Sequence, residues 1–478
     1  MNNSSIKLGS AIKRIRRERK LSQHQLASLL GISTPYLNLI ENNRRNITGK
    51  LLLTLATEFN LELSDIGAEN DSGLLSNLME AFSDELFDSI ELKNHDVQEL
   101  VSSQPEIAKS IIRLYDVFKT EQIKTRTMED LNGNGGSLGE IKNNISAEII
   151  SDLIQKNSNY FPILEESADK ITSQLSKFNN FSLYVSLVEY LSSKHSIRVA
   201  TIPPELKHDT IRYYDPVAKT LVVSDRLPQA SKTFLVAQQM GLLFADDAIN
   251  HILDKENIES EGEVRKLGRL ALSNYFAGAL ILPYDNFLDH AKLTRYDIEV
   301  LENRFQASFE QVCHRLTTLQ KPGSRAIPFH MMRVDIAGNI SKRFSASGIA
   351  ISRYSGACPR LNIYSAFTTP DRIKVQVSMM PDGSKFFCIA RAFQKRSGGF
   401  DSPESFYSIG LGCSLDNAKD MIYADNILLD SSESIVPVGV SCRSCPRIDC
   451  RQRAFPPSNR QLIYDENVKG LSAYVTPN

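Results

Sequence analysis

Three cysteines near the C-terminus, Cys442, Cys445 and Cys450, stand at C-x2-C-x4-C spacing. Thiolates are soft ligands, and three so close in sequence can converge on one metal centre. A tetrahedral zinc or a cubane iron–sulfur cluster usually asks for a fourth ligand. The candidates are Cys413, Cys358, Cys388 and Cys313. Cys413 is favoured: it ends a predicted strand over 408–413, and Cys442 follows another over 435–440. Adjacent strands would bring both thiols to one sheet end. Cys358, in a Gly-Ala-Cys-Pro turn, is second. Cys313 falls on a predicted helix face and reads as core, and four free thiols are the remaining alternative. The seven cysteines are odd in number and thin elsewhere. That suits ligation in a reducing compartment better than disulfides. Arg443, Arg447, Arg451 and Arg453 around the cluster could offset its charge, meet phosphates, or form a solvated basic loop.

The second constellation is at the other end. Residues 1–60 carry ten Lys or Arg and three Glu, a local charge of about +7 hidden by a chain total of −1. Such a patch suits a polyanion. Ile12 and Ile15, with Leu8, share a helical face. Ser22 with Gln25 forms a capping-box pattern before an apolar stripe of Leu26, Ala27, Leu29 and Leu30. Gly31 ends that helix by admitting a left-handed turn. Ser33 caps a third helix over 35–42 with Leu37 and Ile40 inward. Helix, tight turn and helix is the unit that lays its second helix in a major groove. The run Leu21-Ser-Gln-His-Gln-Leu-Ala to Arg44 closely resembles the phage-repressor-like (Xre/Cro) helix-turn-helix family over about 60 residues. By that resemblance Thr34, Pro35, Tyr36 and Asn38 face bases, Gln23, Asn43, Arg44 and Arg45 approach phosphates, and Ser33 belongs to the same DNA-binding set. The bland alternative is a helical hairpin with a solvated basic face.

Between the two ends, Leu75, Leu78, Phe82 and Leu86, then Ile111, Ile112, Leu114 and Phe118, repeat at helical spacing. Long amphipathic helices are predicted over 74–127, for packing and for dimerisation, which operator symmetry favours. Residues 132–137, Asn-Gly-Asn-Gly-Gly-Ser, read as a linker. Residues 145–320 read as α-rich with a short β section at 197–224. Within them Ser231-Lys-Thr-Phe-Leu-Val-Ala-Gln-Gln-Met-Gly-Leu-Leu-Phe resembles the helix that carries His-Glu-x-x-His in the ImmA/IrrE metallopeptidase family. Residues 271–283 resemble that family's later helix. Zinc hydrolysis needs two imidazoles one turn apart and a carboxylate base. The motif positions here are Gln238, Gln239 and Leu242, so the peptidase chemistry fails while the fold expectation stands. His251 nearby is a lone histidine and reads as structural or solvated.

A length of 478 residues predicts two to four domains. Apolar content is ordinary, no apolar run reaches about 18 residues, and the N-terminus lacks a signal-like stretch. The expected location is the cytoplasm. The region after 325 reads as β-rich, with strands at 349–353, 374–379, 386–390 and 408–413 and a helix over 416–424, similar to small-molecule sensor domains of the GAF type. Residues 356–362, 410–413, 421–425, 438–450 and 452–457 resemble the short-chain fatty acyl transcriptional regulator family, and with the head and the middle the likeness spans nearly the whole chain. The resemblance implies a bacterial transcription factor, not an enzyme. It would bind double-stranded DNA as a homodimer or higher, respond to a short-chain acyl-CoA, and control propionate, acetate or glyoxylate metabolism. In some members of that family the cysteines hold an iron–sulfur cluster; on Cys442, Cys445 and Cys450 a [4Fe–4S] centre stands first and zinc second, with Cys413 as fourth ligand from the strand reading above. Rival readings are a redox or iron sensor without acyl-CoA, and a zinc-peptidase stress regulator. No Gly-rich phosphate loop places an acyl-CoA pocket. The expected fold class is multidomain: an all-α helix-turn-helix head (1–70), a helical segment (71–130), an α-rich metallopeptidase-like middle (145–320) and an α+β sensor-like C-terminal domain (325–478).

Overall fold

The computed structural model describes residues 9–19, 21–41, 44–45, 47–59, 71–87, 94–131, 139–176, 182–201, 210–353, 356–396, 404–429 and 431–456. These form two compact units, one mainly of the first 118 residues and one made by nearly all the rest. Asn43 and the 132–137 linker lie outside the described residues.

The head contains α1 (Gly9–Glu18), α2 (Gln23–Leu29), α3 (Thr34–Glu41) and α4 (Gly49–Phe59). Ser22 and Gln25 close the capping box, satisfying two otherwise unpaired donors at the start of α2. Gly31 takes φ +66° in the turn, a backbone state that costs other residues a Cβ clash. Ser33 Oγ accepts from Tyr36 N at 3.3 Å and so starts α3. Ile12, Ile15, Leu26, Ala27, Leu30, Leu37, Ile40 and Leu55 bury together. Leu29, expected inward, is exposed instead. It lies at the end of a seven-residue helix whose core face is met by Leu26 and Leu30.

The same unit continues with α5 (Asp71–Ala81), α6 (Asn94–Ser103) and, as far as residue 118, α7 (Pro105–Leu131). Leu78, Val97, Val101, Ala108 and Ile112 make a second small core. Of the predicted stripe, Leu78 and Ile112 are buried, whereas Leu86 and Leu114 face outward.

The second unit opens with α8 (Gly139–Lys156), α9 (Pro162–Leu175) and α10 (Leu183–His195), then β1 (Arg198–Thr201), β2 (Arg212–Asp215) and β3 (Thr220–Val223). The sheet order is β1-β3-β2, with β1 parallel to β3 and β2 antiparallel. Next come α11 (Gln229–Phe244), α12 (Asp246–Lys255), α13 (Glu263–Ile281), α14 (Tyr284–Leu293), α15 (Ile298–Phe305) and α16 (Phe309–Thr318). A buried ion pair ties three of these helices. Arg315 donates to Glu165 Oε1 at 2.6 Å and Oε2 at 2.9 Å, to Thr318 Oγ1 at 2.9 Å and to Leu282 O at 2.9 Å. Tyr275 adds its hydroxyl to Glu165 at 2.5 Å.

The last part is a six-stranded sheet ordered β5-β4-β8-β7-β6-β9. Its strands are β4 (His330–Asp335), β5 (Ile340–Ser345), β6 (Lys374–Met379), β7 (Lys385–Arg396), β8 (Glu404–Ser414) and β9 (Ile435–Pro437), with α17 (Asn362–Ser365) between β5 and β6. Every pairing is antiparallel except β6 with β9. One face joins the main core through Phe387, Ile389, Ile409, Leu411 and Cys413. The alternating run at 349–353 is not a strand, although Ile349 is buried. Residues 416–424 fold as two short 3-10 turns rather than one helix.

Candidate functional site

On the head, α2 and α3 are locked before any DNA is present. Arg16 spans Glu41 with Nε at 2.6 Å and Nη2 at 3.1 Å, and Gln23 Nε2 donates to Glu41 Oε2 at 2.8 Å. Gln23, expected at a phosphate, therefore has its amide donor engaged inside the fold. Arg45 lies over the Tyr36 ring at 5.1 Å, a cation–π contact between two predicted DNA-facing residues. Ser33, Pro35 and Asn38 are exposed along or just before α3, Thr34 and Tyr36 are half-buried, and Arg44 and Arg45 are exposed beyond its end. One helix thus presents a small polar group, and a basic turn follows it.

In the middle domain the motif positions hold no metal ligands. Gln238 Nε2 donates to Asn274 Oδ1 at 2.6 Å, so an amide pair joins α11 to α13. Gln239 is buried and Leu242 half-buried.

In the C-terminal domain strand register decides which thiols can meet. Directly opposed residues share a sheet face. Cys413 opposes Phe387, and both point into the main core, with Cys413 Sγ 3.7 Å from Met421 Sδ. Cys388 opposes Gly412 on the other face, where it packs with Cys358, Ile349, Met380, Phe386 and Val438. The expectation of Cys413 beside Cys442 therefore fails, because its side chain is on the wrong face. Cys358 lies on the side of the sheet that faces the cysteine loop. Its N–H donates to Val440 O at 3.1 Å, docking its turn on the segment that enters the cysteine loop. Burial raises its thiol pKa; N–H groups of Arg360 and Gly439 directed at the sulfur oppose that, and Cys442 and Cys445 add to it, being within electrostatic reach. Cys388 is pushed up to about 12 by burial. Its sulfur lies 3.5 Å from Nε2 of buried His330, whose pKa burial lowers to about 3, so this pair is neutral and structural. Cys313 is fully buried in the helical core.

The loop itself is built around one arginine. Arg453 is 6% exposed and donates to Cys442 O at 2.6 Å, Cys445 O at 2.9 Å, Phe455 O at 3.3 Å and also to Arg447 O. Arg447 in turn reaches Val438 O at 3.2 Å and Met379 O at 2.9 Å. Arg443 lies over the Phe455 ring. Gly439 allows the close approach of the loop, since a Cβ there would come within 2.9 Å of Cys445 Sγ. Sequence reading offered Arg453 as a charge offset, a phosphate contact or part of a solvated loop, and missed it as the organiser. Cys358, Cys442, Cys445 and Cys450 are thiols of the softness that zinc or an iron–sulfur centre takes. Among the described residues no three His, Cys, Asp or Glu side chains are closed into a metal-holding group. No helix there is long and apolar enough to cross a membrane.

Comparison with known proteins follows the same division. Residues 12–66 match a helix-turn-helix model, 192–317 an IrrE N-terminal-like domain, and 318–474 the short-chain fatty acyl coenzyme A regulator C-terminal domain. The chain is 35% identical over 472 residues to the HTH-type transcriptional regulator RamB of Mycobacterium tuberculosis, covering 98% of each. It is 34% identical to that organism's HTH-type transcriptional regulator PrpR, covering 98% of this chain and 95% of PrpR. It is 33% identical to the propionyl-CoA carboxylase regulator of Cereibacter sphaeroides, covering 98% of each. A solved Mycobacterium tuberculosis transcriptional regulator superposes with a TM-score of 0.65 at 36% identity, covering 69% of this chain and 99% of that one. The helix-turn-helix match and the regulators among the relatives, covered over nearly their full length, make this a transcriptional regulator. The chain belongs to the short-chain fatty acyl coenzyme A regulator family of HTH-type transcriptional regulators.

Proposed function

We propose that the protein is a sequence-specific regulator of short-chain fatty acid metabolism whose DNA binding responds to a short-chain acyl-CoA. In this reading Cys358, Cys442, Cys445 and Cys450 hold one thiolate-bound centre, iron–sulfur in first place and zinc as the alternative. The observation that carries the centre is the docking of the Cys358 turn against Val440, beside Cys442 and Cys445. When bound, such a centre supplies a redox- or metal-responsive state. The chain's own part is to hold the sulfurs: Arg453 fixes the loop by its carbonyls, and Arg360 and Gly439 direct N–H groups at Cys358. The acyl-CoA reading is supported by the C-terminal domain match and by the propionyl-CoA carboxylase regulator among the relatives. Oxygen-free purification, metal analysis and thermal shift with propanoyl-CoA test both halves. Metal without any ligand-induced shift would favour the pure redox or iron sensor.

The head leads to its own expectation. The protein binds as a dimer to a pseudo-palindrome with half-sites about one turn, roughly 10 bp, or a multiple apart. Arg44→Ala weakens binding at all sequences and lowers the salt slope by about one counterion. Asn38→Ala relaxes base preference and costs about 1–3 kcal/mol on the cognate site. Fluorescence anisotropy across salt and across scrambled sites separates the two effects. Unchanged binding in both variants would show that α3 is not the reading helix.

A further inference from the structure

The first unit includes chain from far along the sequence. Ser352 and Arg353 belong to it, although Ile351 just before them belongs to the second unit. Pro456, shortly after Arg453, belongs to it as well. One of these pieces lies a few residues before Cys358, and the other follows the cysteine loop directly.

The earlier piece is held by one carboxylate. Glu80, in the last turn of α5, is 5% exposed. Its Oε1 accepts from Ser352 Oγ at 2.6 Å and its Oε2 from Arg353 N at 2.7 Å. Ser352 is itself fully buried. The last turn of a helix is a poor place for a negative charge, because the macrodipole ends there in unpaired carbonyls. Burial makes it worse. Two short charge-assisted hydrogen bonds offset that cost, so the carboxylate and the 352–353 peptide hold each other.

The residues just before are committed elsewhere. Ile349 is buried in the small core with Cys358, Met380, Phe386, Cys388 and Val438, and Ala350 and Ile351 pack against it. Val436 and Val440, on either side of Val438, pack there too. These valines lie on the segment that leads into Cys442. One short stretch is therefore divided, with 349–351 on the approach to the cysteine loop and 352–353 on Glu80. Successive Cα atoms are fixed about 3.8 Å apart, so such a stretch has no slack. Displacing the approach segment pulls on the bonds to Glu80.

We propose that residues 349–353 are a strap that couples the cysteine loop to α5, so that opening of the loop loosens the end of that helix. α5 belongs to the same unit as the DNA-reading head. The strap rests on the reading of the C-terminal domain as the responsive part of a regulator. Neither the metal nor the acyl-CoA enters its test, so the two can fail separately.

The chain has no tryptophan, so an indole introduced by Phe82→Trp reports on this place alone. Phe82 directly follows α5, packs against the core of Leu78 and meets the Phe87 ring edge-on at 5.2 Å. In that full-length background Gly439→Val forces Cys445 aside, since even a Cβ at 439 would lie 2.9 Å from its sulfur. Arg453→Met frees the same loop by removing the donors to Cys442 O and Cys445 O. Each should shift the indole emission to longer wavelength and increase its quenching by iodide. Glu80→Ala alone should give the same shift, and adding Gly439→Val to it should change nothing more, because a cut strap transmits nothing. Should Glu80→Ala not fold, Ser352→Ala, which removes one of the two bonds, takes its place. Emission unmoved by both loop variants would make Glu80 a fixed staple and overturn the strap. Shifts from Gly439→Val and Glu80→Ala that add would mean independent loosening and overturn it equally.

Discussion

Replacing Arg315 by methionine lowers the stability of the second unit by about 3–5 kcal/mol. The guanidinium is 1% exposed and holds both oxygens of Glu165, a carboxylate that is itself 5% exposed. Without it, Glu165 is left buried with only the Tyr275 hydroxyl, and Leu282 O and Thr318 Oγ1 lose a donor. The loss falls where α9, α13 and α16 meet, so no local rearrangement of one helix repairs it. Pairing Arg315→Met with Glu165→Leu should recover most of the stability, because the penalty is the orphaned charge rather than the lost attraction. Denaturant unfolding of the three variants reads this directly. A single substitution costing less than about 1 kcal/mol would mean that water reaches the pair and screens it.

The second large effect concerns the cysteine loop. Cys442→Ser, Cys445→Ser, Cys450→Ser and Cys358→Ser are each expected to abolish bound iron and visible absorbance in protein purified without oxygen. Cys413→Ser and Cys313→Ser should retain both, since these sulfurs lie in the main core. Ligation energy is folding energy for a loop this polar, so the four sensitive variants should also become more open to protease between 438 and 456. Iron retained in Cys358→Ser but lost in Cys413→Ser would restore the strand-end arrangement read from the sequence. Neither iron nor zinc in any preparation would remove the centre altogether.

The contrast between those two cysteines shows what local pattern can carry. The head was legible because its signals are short-range: a capping box at Ser22, a left-handed glycine at 31, apolar residues three and four apart. The replacement of zinc ligands at the peptidase motif was legible too, because Gln238, Gln239 and Leu242 are wrong in kind wherever they fold. The fourth thiol was not. Cys413 and Cys442 both follow strands, but the face on which a side chain emerges depends on a register fixed by the opposing strand, here Phe387. Cys358 lies in a segment without regular structure and reaches the loop through one long-range backbone bond to Val440. Nothing near Cys358 in sequence encodes that distance. Likewise the alternation at 349–353 looks like a strand but serves packing: Ile349 buries beside Cys388, and Ile351 packs at the edges of two small cores.

The strand that delivers the cysteine loop is three residues long, lies at the sheet edge and ends in Pro437, which has no N–H to donate. Beyond it the attachment is Val438 N to Met379 O at 2.9 Å, Cys358 N to Val440 O at 3.1 Å and the two Arg447 bonds. Such a seam can unzip while the long β7–β8 ladder stays shut, so its opening free energy sits far below that of the whole unit. In deuterium labelling the amides of 435–450 would then exchange long before those of 386–393. The loop would sample the solvent many times in the lifetime of one folded molecule.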